Sequence, residues 1–95
     1  ELLSIQKKPM QAIVVLEGFA PNLIICDYHL DFGITGIAVY LAIQAHLSSR
    51  HIAVLTTADR SVDIRDTASE LGMYYLPKPI KPVALKHILK RRGLI

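Results

Sequence analysis

Short uninterrupted apolar runs alternate along the chain with longer segments in which apolar and polar residues are mixed. The clearest runs are residues 23–26 and 52–55, each followed at once by polar residues. Continuous apolar runs of this length are typical of strands that are buried on both faces in a parallel sheet. Residues 74–76 are a third candidate strand, which ends at a Pro-Lys-Pro sequence, and residues 2–5 are a fourth.

Helices are predicted between and after these strands, over residues 9–17, from 35 to the region 48–50, over 61–71 and from 82 onward. Pro9, Thr35 and Pro82 are residue types that begin helices, and Gly18 and Gly72 are typical of the position just past a helix end. The second helix has the apolar residues Ile37, Leu41, Ile43 and Leu47, and the third has Ile64, Ala68 and Leu71 at helical spacing. The last helix is expected to direct Leu85, Ile88 and Leu89 inward. Strands that alternate with helices predict an α/β fold with a parallel sheet covered by helices, because crossovers between parallel strands are right-handed.

The composition narrows the class of protein without identifying a function. With 95 residues, 52% of them hydrophobic, the chain is long enough for one compact domain. No apolar run approaches the roughly 18 residues that span a bilayer, so we expect a cytoplasmic domain without membrane contact. The formal charge of +3 is too small to imply nucleic acid as a partner. The single cysteine, Cys26, lies in an apolar run, which excludes a disulfide framework and predicts a buried core residue.

Three polar side chains stand where the predicted strands end. Asp27 follows the run 23–26, Thr57 follows the run 52–55, and Lys78 follows the run 74–76. Parallel strands direct their carboxyl ends to one edge of the sheet, and ligands bind there, at the point where the strand order reverses. A carboxylate nucleophile, a hydroxyl donor and an ammonium group would together suit a phosphoryl group.

Each of these residues also has an ordinary structural explanation. Asp27 is a residue type found in turns and caps, and Thr57 is β-branched and suits a strand end or a helix cap. Lys78 would be unremarkable in an exposed loop. Their joint position at three successive strand ends favours the phosphate interpretation over three separate explanations.

The sequences around these residues resemble the receiver domain of two-component signalling, which a histidine kinase phosphorylates on aspartate. The resemblance rests on LIICDYHLDFGITG around Asp27, on Thr-Ala-Asp at residues 57–59 and on Lys-Pro in LPKPI. It implies a flavodoxin-like, doubly wound parallel sheet in which residues 1–95 form a single, incomplete receiver domain. The glycine loop and the ending KPIKPVALKHIL are most similar to receivers at the C-terminus of hybrid histidine kinases.

The resemblance assigns a role to each matching residue. Asp27 is the phosphoacceptor, Thr57 is the switch hydroxyl that follows the phosphoryl group, and Lys78 is its counter-cation. Thr56 is the alternative switch residue, because an error of one residue in register exchanges the two faces of a strand.

Two further residues match positions of the family. His29 matches the position whose backbone carbonyl binds Mg²⁺ together with the phosphoacceptor, Asp27. Tyr75 matches the aromatic residue that changes rotamer as the threonine moves, although packing at a sheet edge explains it as well. The corresponding Lys-Pro bond is cis in the family, so the resemblance implies a cis Lys78–Pro79 bond, and X-Pro bonds are where cis isomers occur.

The family's pair of acidic magnesium ligands, at the end of its first strand, has no counterpart in this sequence. If residues 2–5 correspond to the family's second strand, the first strand and helix are missing, a difference of roughly 30 residues. We expect a fragment of a longer domain with a gap in the middle of its sheet, which a second copy of the chain in a homodimer, a rearranged segment or further residues would fill. Magnesium binding and phosphorylation by such a chain would be weak.

Three functional hypotheses follow. In the first, Asp27 exchanges a phosphoryl group with a histidine kinase or a histidine phosphotransfer domain, and the chain is a signalling switch rather than a conventional enzyme. In the second, it is a degenerate receiver that acts as a protein interaction module without phosphorylation. The third, a phosphohydrolase of the haloacid dehalogenase type, is disfavoured because the general acid it needs two positions after the nucleophile is replaced by His29.

Overall fold

The computed structural model describes residues 2–6, 21–47 and 50–95. Within them, four strands pair in parallel in the order in which they occur along the chain: β1 (Leu2–Ile5), β2 (Leu23–Asp27), β3 (Ile52–Thr57) and β4 (Tyr74–Pro77). The predicted α/β class with a parallel sheet is confirmed, and residues 2–5 form a strand as expected. The helix predicted over residues 9–17 lies outside the described residues.

Three α-helices accompany the sheet in the described part of the chain: α1 (Gly36–Ile43), α2 (Val62–Glu70) and α3 (Pro82–Arg91). Their ends match the predicted signals. The Thr35 hydroxyl caps α1 by accepting a hydrogen bond from the Ala38 amide at 3.1 Å. Pro82 is the first residue of α3, and Gly72 follows α2 with a φ of +75°. None of the described helices is long and apolar enough to cross a membrane.

The helix after Thr35 is shorter than predicted. It ends at Ile43, and a 3-10 turn over Gln44–His46 follows where more α-helix was expected. Val39 and Tyr40 are buried along with Ile43, whereas Leu41 is half exposed. Nearly every residue of α1 is apolar, and the sequence pattern therefore does not distinguish the face that the sheet covers.

Side chains of the strands alternate between two faces of the sheet, and each face has its own apolar cluster. The first face carries the residues that pack with α1 and α2: Leu3, Ile5, Ile24, Cys26, Ala53 and Leu55. The second face carries Ile52, Val54 and Leu76, which pack against the predicted inward residues of α3: Leu85, Ile88 and Leu89. Helices thus cover both faces, and the predicted burial of Cys26 is confirmed.

The four described strands show neither the gap nor the reversal of strand order that the sequence predicted. β1 pairs directly with β2, from Leu2 opposite Leu23 to Ile5 opposite Cys26. This pairing satisfies backbone groups that a gap would leave unpaired, and Leu3 and Ile5 of β1 are buried in the apolar cluster of the first face. Because each described strand neighbours the next along the chain, the candidate site lies at the carboxyl edge of the sheet but not at a reversal of strand order.

Candidate functional site

Asp27 and Lys78 form an ion pair at the carboxyl edge of the sheet. Asp27 is the last residue of β2, and Lys78 follows directly after β4. The Lys78 Nζ atom lies 3.1 Å from Asp27 Oδ2, and the carboxylate side chain is only 16% exposed. The structure therefore brings together the two charged residues that the sequence analysis placed at strand ends.

The register of the strands places Gln6, Asp27 and Thr56 side by side on the second face. Asp27 is paired with Thr56, and Gln6 follows Ile5, whose partner Cys26 precedes Asp27. Paired residues of parallel strands share a face, as do alternate residues of one strand. An open cavity of about 650 Å³ lies here, called the carboxyl-edge cavity below, and it is lined by Gln6, Ile25, Asp27, Thr56, Ala58, Lys78, Pro79 and Ile80.

Thr56 is the hydroxyl residue that lines this cavity. It is 1% exposed, and its Oγ1 atom is buried without a hydrogen-bond partner among the described residues. Buried polar groups are nearly always hydrogen-bonded, because an unpaired one costs about 1–3 kcal/mol. The alternative threonine of the sequence analysis, rather than Thr57, is thus the one that shares a face with Asp27.

Thr57 lies on the first face of the sheet. It follows Thr56 in β3, and consecutive side chains of a strand lie on opposite faces of the sheet. Thr57 is not among the residues that line the carboxyl-edge cavity. Its Oγ1 atom accepts a hydrogen bond from the Asp59 amide at 3.0 Å, within the turn that follows β3. The structure does not bring the Thr57 hydroxyl to the Asp27 carboxylate, and the switch role of Thr57 stays a prediction.

Asp59 contacts residues of several segments around the site. In the sequence, only the Thr-Ala-Asp motif pointed to it. Its carbonyl oxygen accepts a hydrogen bond from the Tyr75 hydroxyl at 3.0 Å. Its carboxylate accepts one from the Ser61 amide at 3.0 Å and lies 3.5 Å from His29 Nε2. Together with Thr57, these residues form the Asp59 cluster.

Two residues with predicted roles belong to the Asp59 cluster. Tyr75 packs against the apolar cluster of the first face, and the guanidinium carbon of Arg65 lies 5.6 Å from the centre of its ring. The side chain of His29 is 66% exposed and is directed to Asp59. Tyr75 therefore packs as an ordinary half-buried aromatic residue here, and its change of rotamer stays a prediction.

Gly36 brings the start of α1 against the backbone of Asp27. The Gly36 amide donates a hydrogen bond to the Tyr28 carbonyl at 2.6 Å. A Cβ atom at this position would overlap the Asp27 carbonyl oxygen and lie 2.7 Å from Cys26 Sγ. Only glycine permits this approach. A glycine soon after a strand end is compatible with such a contact, but the contacting atoms are visible only in the tertiary structure.

The Cys26 thiol lies in the core next to the candidate site. Its Sγ atom is 3.5 Å from the carbonyl oxygens of both Asp27 and Gly36. Burial, and to a smaller extent the charge of Asp27, raises the pKa of the Cys26 thiol from 9.0 to about 12. The thiol is therefore neutral near pH 7, where only the thiolate would be a nucleophile.

The donors around Asp27 do not by themselves fit a magnesium ion. In residues 2–6, 21–47 and 50–95, no group of three or more acidic, histidine or cysteine side chains is placed to hold a metal. Among the described residues that line the cavity, Asp27 is the only carboxylate, one of its oxygens faces Lys78, and Gln6 adds only an uncharged amide. Mg²⁺ takes six oxygen ligands, usually including carboxylates or substrate phosphates. The second predicted ligand, the His29 backbone carbonyl, supplies no charge.

No protein-family model and no curated protein matches this chain. The resemblance to receiver domains therefore rests on the quoted motifs. The Lys78–Pro79 bond is cis, as the resemblance implied. Around the carboxyl-edge cavity, a carboxylate, an ammonium group and a buried hydroxyl converge, and this set offers one nucleophile and two donors to a phosphoryl group.

Proposed function

We propose that the chain is a phosphoacceptor receiver domain, which exchanges a phosphoryl group between a phosphohistidine and Asp27. The observation that carries the proposal is the ion pair of 3.1 Å between Asp27 and Lys78 at the carboxyl edge of a parallel sheet. An ammonium group at this distance would offset part of the negative charge that a phosphoryl group adds to the carboxylate. Three strand-end motifs in family order support the same reading.

Under this proposal the fold is a shortened form of the flavodoxin-like, doubly wound sheet of receivers, whose described strands keep the order of the chain, and the domain works in the cytoplasm. Its partners are a histidine kinase or a histidine phosphotransfer domain, and its parent polypeptide is a hybrid histidine kinase. The helices on both faces of the sheet support this fold. Mg²⁺ would belong to the complete domain, because the described residues do not form a site for it.

The proposed step moves one phosphoryl group from nitrogen to oxygen. A carboxylate oxygen of Asp27 attacks the phosphorus atom of a phosphoimidazole whose other ring nitrogen carries a proton. The P–N bond breaks, its electron pair stays on nitrogen, and neutral imidazole leaves while an acyl phosphate forms on Asp27. Lys78 keeps its charge throughout. Attack of water on the phosphorus atom later releases phosphate and restores the carboxylate.

Acetyl phosphate, a small phosphoryl donor, tests the proposal. The chain is incubated with it, with and without Mg²⁺, and examined by intact-mass spectrometry. We expect the mass of one phosphoryl group to be added, and we expect hydroxylamine, which cleaves acyl phosphates, to remove it. Asp27→Asn should abolish the addition. Asp66→Asn, which changes an exposed carboxylate of α2, is the matched control and should preserve it.

Two outcomes would overturn the proposal. One is a native chain that acetyl phosphate never modifies, and the other is equal modification of the native chain and the Asp27→Asn variant. In the first outcome the acyl phosphate does not form, and in the second it forms on another residue.

Among the described residues, Asp27 is the only carboxylate that lines the carboxyl-edge cavity, and this favours a second candidate, a phosphorylation-independent interaction module. Such a module would dock through β4 and α3, where Val83 is 76% exposed. A chain that acetyl phosphate leaves unmodified, but that binds a histidine phosphotransfer domain in a calorimetric titration, would support this candidate over the first.

A further inference from the structure

We infer that the Thr56 hydroxyl donates a hydrogen bond to an oxygen of the phosphoryl group on Asp27. This inference rests on the proposed function and adds a binding residue to its site. The receiver motifs assign the hydroxyl contact to Thr57, whereas the geometry points to its neighbour on the opposite face. Thr56 and Lys78 would then hold the phosphoryl oxygens from adjacent strands, β3 and β4.

The register of the sheet supports this assignment. Thr56 is the partner of Asp27 across β2 and β3, and Leu76 is the partner of Thr56 across β3 and β4. Lys78 lies two residues after Leu76 and therefore shares its face. Asp27, Thr56 and Lys78 consequently follow one another across three strands on the second face, and all three line the carboxyl-edge cavity.

The state of the Thr56 hydroxyl is a second and independent observation. Its Oγ1 atom is buried and has no hydrogen-bond partner among the described residues. A hydroxyl carries one donor and two acceptor positions, and burial without a partner is costly unless a ligand satisfies them. The cavity beside it contains the proposed phosphoacceptor, so a phosphoryl oxygen is the acceptor that the site would supply.

The neighbouring hydroxyl already acts as an acceptor in the turn that follows β3. Thr57 Oγ1 accepts a hydrogen bond from the Asp59 amide at 3.0 Å, and Asp59 is in turn bonded to Tyr75 and paired with His29. Movement of Thr57 to the cavity would break this arrangement. Thr56 already lies on the second face and lines the cavity together with Asp27 and Lys78.

Isosteric substitutions test the inference. The rate of phosphorylation by acetyl phosphate is measured for the native chain and for Thr56→Val, Thr56→Ser and Thr57→Val, together with the melting temperature of each. We expect Thr56→Val to slow phosphorylation by about tenfold or more, the loss that follows removal of one hydrogen bond to a charged group. Thr56→Ser keeps the hydroxyl and should restore most of the rate.

The melting temperatures separate this role from a structural one. Thr56→Val removes an unpaired buried hydroxyl and should melt at the same temperature as the native chain or higher. Thr57→Val deprives the Asp59 amide of its acceptor and should melt lower. A Thr56→Val variant that melts lower than the native chain would show that the hydroxyl has a partner without ligand, and this would overturn the inference.

The kinetic outcomes distinguish the inference from the proposed function. A native chain that is phosphorylated on Asp27, with a Thr56→Val variant that reacts as fast, overturns the inference and leaves the proposed function in place. If Thr57→Val is phosphorylated more slowly while Thr56→Val keeps the native rate, the inference is likewise overturned and the proposed function stands. A native chain that is not phosphorylated overturns the proposed function itself, and the inference with it.

Discussion

The Lys78 ammonium lies 3.1 Å from the Asp27 carboxylate, although β3 separates the strands at whose ends the two residues lie. This relationship gives the first prediction. Lys78→Met should slow phosphorylation of Asp27 strongly, because no other cation lines the carboxyl-edge cavity among the described residues. It should change the free energy of unfolding by less than about 1 kcal/mol, because the lysine side chain is 44% exposed and solvent screens the pair.

The measurements are intact-mass kinetics with acetyl phosphate and urea unfolding. Lys86→Met, which removes an exposed charge from α3, is the control and should leave both quantities unchanged. A Lys78→Met variant that is phosphorylated at the native rate would contradict the counter-cation role.

A second carboxylate beside Asp27 should create a cation site. Gln6 lines the same cavity as Asp27 and carries an uncharged amide, so Gln6→Glu would supply the charge that Mg²⁺ requires there. We expect Gln6→Glu to bind Mg²⁺ more tightly than the native chain in a calorimetric titration. Ser4→Glu adds the same charge two residues earlier in β1 and is the matched control. Equal affinities of the two variants for Mg²⁺ would contradict the predicted position of Gln6.

Gly36→Ala should destabilise the fold and disturb the site together. The added methyl group would overlap the Asp27 carbonyl oxygen, so we expect a loss of at least about 3 kcal/mol in the free energy of unfolding. Gly33→Ala is the contrast, because nothing lies within 4 Å of its Cβ position and only its φ of +71° opposes the change. We expect it to cost about 1–2 kcal/mol. Urea unfolding measures both, and equal losses would argue against the close approach of α1.

Tyr75→Phe should loosen the turn after β3. The change removes the hydrogen bond from the Tyr75 hydroxyl to the Asp59 carbonyl, worth about 0.5–1.5 kcal/mol. We expect faster hydrogen exchange at the amides of Asp59 and Ser61, measured by NMR. Tyr74→Phe removes a hydroxyl whose only described partner is Arg92 at 3.4 Å and should leave those exchange rates unchanged. Unchanged exchange in both variants would indicate that Tyr75 does not support the turn.

Because the Cys26 thiol is buried, the free energy of unfolding should decrease as the pH rises in the alkaline range. Its pKa is raised from 9.0 to about 12 in the folded protein, so the unfolded chain loses the thiol proton first as pH increases. The contribution of the protonated thiol to the free energy of unfolding is complete below pH 9.0. It falls by on the order of 1 kcal/mol per pH unit up to about pH 12. Urea unfolding at several pH values measures the slope, which should be smaller in Cys26→Ala. Rapid alkylation of the folded chain near pH 8 would contradict the burial of the thiol.

Much of the fold was predictable because its signals are local. The apolar runs became β2 and β3, Thr35 and Pro82 began helices, and Gly72 ended one. The proximity of Asp27 and Lys78 was also predictable, because parallel strands direct their carboxyl ends to one edge of a sheet. The buried face of α1 was not predictable, because a helix that is apolar on all sides carries no contrast between its faces.

The pairing of strands and the contacts between loops could not be predicted from the sequence. The direct pairing of β1 with β2 replaced a predicted gap, and it placed Gln6 beside Asp27. The close approach of Gly36 and the bonds of Asp59 likewise join residues whose proximity depends on packed loops.

By itself, the sequence determined where strands and helices form and which charged residues stand at strand ends, because these follow from local apolar runs and from capping and turn residues. Only the tertiary structure showed that Thr56, and not Thr57, shares a face of the sheet with Asp27. Two consecutive hydroxyl residues at a strand end are equivalent in a local pattern. Their faces differ only once the strand is paired in register with its neighbours, and that pairing is set by the burial of the whole sheet.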